Sequence, residues 1–140
     1  MAYEEALRSV TFEADSTVGI YSGVPGLAGS LDPNAAKQYC FVKLTGAKTV
    51  GLCDTTANEV PVGVLQNKPQ AVGAAATVAV HGISKAICGA AVTAGQPLKV
   101  DSVGRVISAT PGTDIALYVG VAVTSTTAVN QIATVLLKIS

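Results

Sequence analysis

The feature that most constrains the fold is an internal repeat that relates residues 63–80 to residues 120–137. The two segments read GVLQNKPQAVGAAATVAV and GVAVTSTTAVNQIATVLL, and they are identical at Gly63/Gly120 and at several later positions. Every matched residue is small or β-branched, which are the types that strands and tight turns select, and none is a reactive nucleophile. The chain therefore repeats a folding unit and does not repeat an active site, which favours a structural or binding role.

The composition predicts an all-β fold with a thin core. Hydrophobic residues make up 49% of the 140 residues, yet there are only four Tyr, two Phe and no Trp. Small side chains such as Val and Ala fill a thin interior, as in a small barrel or a shallow sandwich. Glycines separate the Val-rich runs roughly every 8–12 residues, a spacing typical of short strands. We predict a small β-barrel or β-sandwich built from two similar β-units.

The first part of the chain differs from the rest. Residues 23–29 read GVPGLAG, and their glycines and proline interrupt regular structure. We therefore divide the chain into an extended N-terminal arm, residues 1–38, with a short helix within residues 2–10, and a β-structured body, residues 39–140. Apolar side chains occur along the arm without a periodic core partner, and we expect the arm to lie across another surface. The predicted partner-binding residues are Phe12, Ile20, Tyr21, Val24 and Leu27.

Charge and the distribution of polar residues argue against two classes of partner, nucleic acids and membranes. The formal net charge is zero, whereas nucleic-acid binding needs a basic excess. The balance hides an acidic excess in residues 1–36 and a basic excess in the remainder. This asymmetry fits an arm that docks onto a neighbouring copy or another protein, and it equally fits solvated surface charge. Residues 115–137 carry no charge, but polar residues 124–127 and 130–131 interrupt the run. We interpret this stretch as two strands around a polar turn and expect no membrane partner.

The reactive residues predict neither an enzyme nor a cofactor or metal site. Cys40, Cys53 and Cys88 are odd in number, lack metal-like spacing and follow no signal peptide, so we expect buried, reduced thiols in a protein made in the host cytoplasm. His81 is the single histidine, and no Gly-x-Ser-x-Gly motif accompanies it. We expect no small-molecule substrate.

One lysine keeps a different class open. Lipoyl and biotinyl carrier domains are small β-structures of two similar halves that carry a modified lysine at an exposed hairpin. Lys85, in the sequence Ser84-Lys85-Ala86, follows Gly82 in the β-rich body, between the two repeated segments. A carrier domain that uses Lys85 therefore remains an alternative.

A succession of short motifs resembles a known family. The motifs are residues 78–85 (VAVHGISK), 91–101 (AVTAGQPLKVD), 104–106 (GRV), 119–122 (VGVA) and 132–137 (IATVLL). In order and spacing they resemble the capsid decoration (cement) proteins of tailed bacteriophages, over roughly residues 60–139.

The resemblance implies a function. Such proteins are barrel-like or sandwich-like, lie on the outer face of the virion head, and often form trimers near local threefold positions. They bind several copies of the major capsid protein and stabilise the expanded head. A β-structured fibre or receptor-binding module of a virion is the second alternative.

Overall fold

Ten β-strands account for the fold of the described residues. The computed structural model describes residues 8–18, 37–69, 72–114 and 117–138. A 3-10 turn, Thr55–Ala57, lies between β3 and β4. The strands are β1 (Arg8–Ala14), β2 (Phe41–Gly46), β3 (Thr49–Leu52), β4 (Gly63–Leu65), β5 (Ala75–His81), β6 (Ile83–Ile87), β7 (Pro97–Val100), β8 (Val106–Ser108), β9 (Gly120–Ala122) and β10 (Ile132–Leu137).

Strands β1 to β5 form a closed barrel, here called the first barrel, in the order β1-β3-β2-β4-β5. Strand β1 pairs antiparallel with β5 and parallel with β3, so it closes the barrel. The prediction of an extended arm outside the body is therefore wrong for residues 8–18, and the predicted helix is wrong for residues 8–10. The physical reason is that β3 and β5 would otherwise each leave an unpaired edge.

Strands β6 to β10 form a second five-stranded sheet, here called the second sheet, in the order β6-β10-β9-β7-β8. Its β9–β10 pair has the register of β4–β5, because Leu65 faces Val78 in the first barrel and Ala122 faces Val135 here. These partners occupy equivalent positions in the internal repeat. The repeat is thus a pair of equivalent antiparallel strand pairs.

The equivalence extends to strands that share little sequence. Val42 faces Leu52 in β2–β3, and Leu98 faces Ser108 in β7–β8. Strand β6 is the counterpart of β1, since β6 pairs with β10 in the register in which β1 pairs with β5. The parallel contact that closes the first barrel also recurs, as a single bridge between Cys88 and Val106. A five-stranded unit therefore occurs twice in the chain.

The two repeated glycines show why the register is fixed. A Cβ atom at Gly63 would overlap the backbone carbonyl of Ala79, and one at Gly120 would overlap the carbonyl of Leu136. In both units the backbone of the neighbouring strand lies where a side chain would have to be. Only glycine permits this approach, which explains the identity of these residues in the sequence.

The core has two parts, and the second crosses the boundary between the units. The interior of the first barrel is lined by Ala14, Val18, Val42, Val50, Leu65, Ala76 and Val78. The core of the second sheet includes Leu98, Val106 and Val135, together with four residues of the outer face of the first barrel. Those four are Phe41, Cys53, Val64 and Ala79, all inaccessible to solvent. The first barrel therefore completes the core of the second sheet.

The two units are joined by a very short connection and by backbone hydrogen bonds. Gly82, with φ of 106°, is the only residue between β5 and β6. The Ile87 N–H donates to the Tyr39 carbonyl at 3.0 Å, and the Phe41 N–H donates to the Gly104 carbonyl at 2.8 Å. The segment that enters β2 thus lies beside the single Cys88–Val106 bridge and bonds both to β6 and to the turn that precedes β8. The units form one continuous structure.

Candidate partner-binding surfaces

The structure places one of the predicted contact residues. Phe12 lies in β1, opposite Ala76 of β5, and is half-buried against the interior of the first barrel. Its side chain therefore packs largely within its own fold. Ile20, Tyr21, Val24 and Leu27 lie outside the described residues, in the connection between β1 and β2.

The environment of Lys85 differs from that of a carrier lysine. Lys85 lies in the middle of β6, paired with Thr134 of β10, and its ammonium is 5.8 Å from the centre of the Tyr39 ring. A carrier lysine lies at an exposed hairpin, where a modifying enzyme reaches it. Lys85 is exposed, but its strand pairing and its cation–π contact with Tyr39 place it at the junction between the units and not at a hairpin.

Exposed apolar side chains mark the surfaces available to a partner. Among the described residues, the large hydrophobic side chains with substantial exposure are Val10, Leu44, Val60, Val72, Ile83, Val123, Val129 and Ile132. Scattered exposed hydrophobic residues are normal in soluble proteins, so only those grouped by the fold indicate a binding surface. The fold groups them at three places.

The first place is the open end of the first barrel, here called the mouth. A cleft of about 520 Å³ lies there, lined by Lys43, Leu44, Thr45, Glu59, Val60 and Val62. Leu44 is 51% exposed and Val60 is 70% exposed. An ion pair between Lys43 and Glu59 borders them. The mouth is therefore an apolar surface with a charged rim, which suits a protein partner better than a small polar ligand.

The equivalent end of the second sheet is covered by the chain itself. Val100, the counterpart of Leu44, is inaccessible to solvent. The hydroxyl of Thr55, in the 3-10 turn of the first unit, accepts from the Val100 N–H at 2.9 Å and donates to the Val100 carbonyl at 3.1 Å. One unit thus caps the next within the chain.

The second place is the outer face of the second sheet. Pro97 faces Val121 across β7 and β9, and Val121 faces Leu136 across β9 and β10. Ile83 extends this row on β6, opposite Leu136, and is 39% exposed. We call Pro97, Val121, Leu136 and Ile83 the outer row. It is an apolar strip across four strands, and its members keep part of their surface accessible to solvent.

The third place is a pair of equivalent turns. Val72 and Val129 are identical in the internal repeat and are 60% and 50% exposed. Each precedes a residue with positive φ, Gly73 and Asn130, whose N–H donates to the end of β1 or to Cys88. Burial or close backbone approach explains most of the repeated identities, but these two valines point to solvent. The fold thus presents the same apolar tip twice.

Two ion pairs stabilise connections between strands of the second sheet. Asp114 accepts from the Thr110 N–H at 2.8 Å and from the Lys99 ammonium at 3.0 Å, and these bonds lower the pKa of its carboxyl. Arg105 pairs with Asp101 within the β7–β8 turn. The first pair fixes the loop after β8 against β7, and the second stabilises the β7–β8 turn.

The cysteines are buried thiols. Burial raises the pKa of both Cys40 and Cys53 to about 11, well above the usual value of a thiol. Cys88 is also buried. Nucleophilic cysteines need a lowered pKa and access to solvent, so these residues have a packing role.

Two further observations concern other classes of site. Within residues 8–18, 37–69, 72–114 and 117–138, no cluster of three or more His, Cys, Asp or Glu side chains forms a possible metal site. The same ranges contain no helix with the length and apolarity needed to span a membrane.

Comparison with known proteins finds one matching family model and a similar solved structure. A family model described as phage cement protein matches residues 26–139. Among solved structures, the chain resembles the N base of head fiber gp8.5 of bacteriophage phi29, with a TM-score of 0.65 and 14% sequence identity. The alignment covers 96% of this chain and 97% of that one. No protein with a curated function matches the chain in sequence.

Proposed function

The chain belongs to the phage cement protein family, and we propose that it binds the outer surface of a phage head and stabilises the expanded shell by bridging major capsid protein subunits. Membership of the family makes it a structural protein of the phage virion. This membership is the observation that carries the proposal. The role is non-enzymatic, and its partners are the major capsid protein and further copies of this chain, with three copies expected near a local threefold position.

A bridging role requires rigidity, and the fold supports it. The two units share a core through Phe41 and Val64, and only Gly82 separates their strands. Buried Thr55 adds two hydrogen bonds across the junction. A rigid body transmits force between the subunits that it contacts, whereas units on a flexible linker would move independently.

Bridging also requires more than one contact with the shell. We propose that Val72 and Val129 form two equivalent capsid contacts, because the internal repeat presents the same apolar residue at both turns. Tyr21 and Leu27, with their neighbours in the β1–β2 connection, provide a further contact. Linked weak contacts raise the overall affinity through their effective concentration.

The test is a binding assay with expanded phage heads that lack this protein. Purified chain is added, the heads are sedimented, and the bound copies are counted. Saturable binding at a copy number set by capsid symmetry supports the proposal, and absence of binding by a folded chain refutes it. A melting assay of heads with and without the chain measures stabilisation.

Substitutions then test the contact residues. Deletion of residues 1–30 is unsuitable because it removes β1 and opens the first barrel. We instead compare the double variants Tyr21→Ala/Leu27→Ala and Val72→Asp/Val129→Asp with the control Ile132→Ala, an exposed aliphatic residue outside the proposed contacts. Each double variant is expected to weaken binding at least tenfold, and the control is expected to bind like the wild type. Unchanged binding by either double variant removes those residues from the capsid contact.

One observation favours a second candidate function. The similar solved structure is the base of a head fiber, and a base attached to the head would share the rigid, apolar and non-catalytic character found here. Electron microscopy of decorated heads separates the two candidates. A compact knob of the size of this chain supports a cement protein, and a long projection beyond it supports a fibre base.

A further inference from the structure

We infer that copies of this chain associate head to tail, with the outer row of one copy packed against the mouth of the first barrel of the next. The inference deepens the self-association in the proposed function by naming the two surfaces, and it rests on that function only in expecting several copies. The basis of the inference is that the two units within one chain are already joined by a contact of this kind.

The internal joint defines the geometry. On the first barrel, Phe41 faces Val64 and Val64 faces Ala79, and this row is completely buried against the second sheet. The 3-10 turn beside the row supplies Thr55, which caps Val100. The first unit therefore contributes an apolar row and a capping turn, and the second unit contributes the end of its sheet.

The second sheet carries a row equivalent to the apolar row that the first unit contributes to the internal joint. Pro97, Val121 and Leu136 have the same pairing as Phe41, Val64 and Ala79. The side chains of the outer row are apolar, as in the buried row, yet they remain partly exposed in a single copy. A second copy of the chain provides a surface of the kind that this row is built to contact.

The mouth of the first barrel corresponds to the end of the second sheet that the internal joint covers. Leu44 is the counterpart of Val100, and it is 51% exposed where Val100 is fully covered. Val60 adds a further apolar side chain beside the cleft. Val10 is the counterpart of Ser84, which in the internal joint accepts a hydrogen bond from the Gln66 amide. Val100 and Ser84 are thus covered in the second sheet. Their counterparts in the first barrel, Leu44 and Val10, are apolar and exposed.

One residue shows how the joint between copies differs from the internal joint. Phe41 donates its N–H to the Gly104 carbonyl, but its counterpart Pro97 has no N–H to donate. The equivalent acceptor, the Lys48 carbonyl, already accepts from the Glu13 N–H at 2.7 Å. The backbone hydrogen bond between Phe41 and Gly104 in the internal joint therefore has no equivalent between copies. The joint between copies therefore forms through apolar side chains.

The two surfaces are different, so the contact is heterologous. A heterologous contact leaves one unused surface of each kind at the ends, and it continues until the copies close into a ring or extend as a filament. Each copy then has two neighbours. A twofold dimer formed by one self-complementary surface would use a different arrangement.

Complementary variants test this prediction directly. Leu136→Asp disables the outer row, and Leu44→Asp disables the mouth; Ile83→Asp and Val60→Asp serve as second variants on the same surfaces. Size-exclusion chromatography with light scattering and native mass spectrometry report the masses, and circular dichroism checks folding. Ile132→Asp is the matched control because it lies on the same strand and face as Leu136, while its counterpart Ala75 remains exposed outside the internal joint.

The expected result is that wild-type and Ile132→Asp chains form the same assembly, whereas each surface variant is monomeric. A mixture of an outer-row variant with a mouth variant should form a 1:1 dimer that does not grow, because one intact surface of each kind remains. A monomeric wild type, an assembly unaffected by the variants, or a mixture that stays monomeric would each overturn the inference. Capsid binding by a monomeric wild type would overturn this inference and the proposed self-association, and would leave the proposed capsid-binding role intact.

Discussion

The hydroxyl of Thr55 offers the sharpest test of how the two units are held together. Thr55 is 2% exposed and bonds to both the N–H and the carbonyl of Val100. Thr55→Val keeps the shape of the side chain but removes the hydroxyl. Because no water replaces it at a buried position, two backbone groups lose their partner, at a cost of roughly 1–3 kcal/mol each.

We therefore expect Thr55→Val to lower the free energy of unfolding by about 3 kcal/mol. For a chain of this size, 1 kcal/mol corresponds to roughly 3–4 °C, so the melting temperature should fall by about 10 °C. The matched control is Thr55→Ser, which keeps both hydrogen bonds and loses one methyl group, worth about 1 kcal/mol.

The measurement is chemical denaturation followed by circular dichroism, with calorimetry for the melting temperature. Thr55→Val should be clearly less stable than Thr55→Ser. If the two variants are equally stable, or if Thr55→Val is the more stable, the hydroxyl does not satisfy Val100 and the reasoning about the junction is refuted.

Three further predictions concern packing and titration. Gly63→Ala and Gly120→Ala should each destabilise the fold by about 2–3 kcal/mol in urea denaturation, because the added methyl overlaps the carbonyl of the facing strand. Asp114→Asn should lower the melting temperature at pH 7, and the deficit should vanish in acid. The lowered pKa of this carboxyl provides stability above its usual pKa, which is lost as the pH falls through the folded value. The thiols of Cys40 and Cys53 should not react with a thiol reagent at pH 8 until the chain is unfolded.

These three predictions have clear controls and opposing results. Gly46→Ala is the control for the glycines, since the nearest side-chain atoms lie at 3.8 Å, and a loss equal to that of Gly63→Ala would contradict the overlap argument. A melting deficit of Asp114→Asn that persists unchanged at pH 2 would show that the carboxylate charge is not responsible. Rapid labelling of the folded chain would show that the thiols are accessible. Thiol ionisation should also reduce stability between pH 9 and 11, because unfolded thiols lose their protons first.

The sequence predicted the strands of the repeat well because their constraints are local. Gly63 and Gly120 must be glycine where strands approach closely, and Val78 and Val135 must be apolar to face the interior. Such residues keep their identity in both copies, so they can be recognised by simple comparison. The uncharged run around residues 124–131 likewise predicted a polar connection between two strands, which are β9 and β10.

From the sequence, β1 was placed in an extended arm and its pairing with the body was missed, because that pairing is not determined by local constraints. Its counterpart β6 pairs in the same register, yet the aligned residues of β1 and β6 are all different. What they share is alternation of inward and outward positions, which a seven-residue stretch reveals only when its partner strands are known. The long β1–β2 connection further separates β1 from the rest of its unit. Residues 8–18 therefore looked like part of an arm.

The sequence by itself determined the all-β class, the duplicated unit, the thin Val- and Ala-rich core and the cement protein family, because these depend on residue types and on their order. Tertiary structure alone decided that residues 8–14 close a barrel, that Thr55 caps Val100, and that Leu44 is exposed where Val100 is buried. These depend on which surfaces meet. Equivalent residues acquire different environments because the first unit has a neighbour on one side only, and that asymmetry arises when the chain folds.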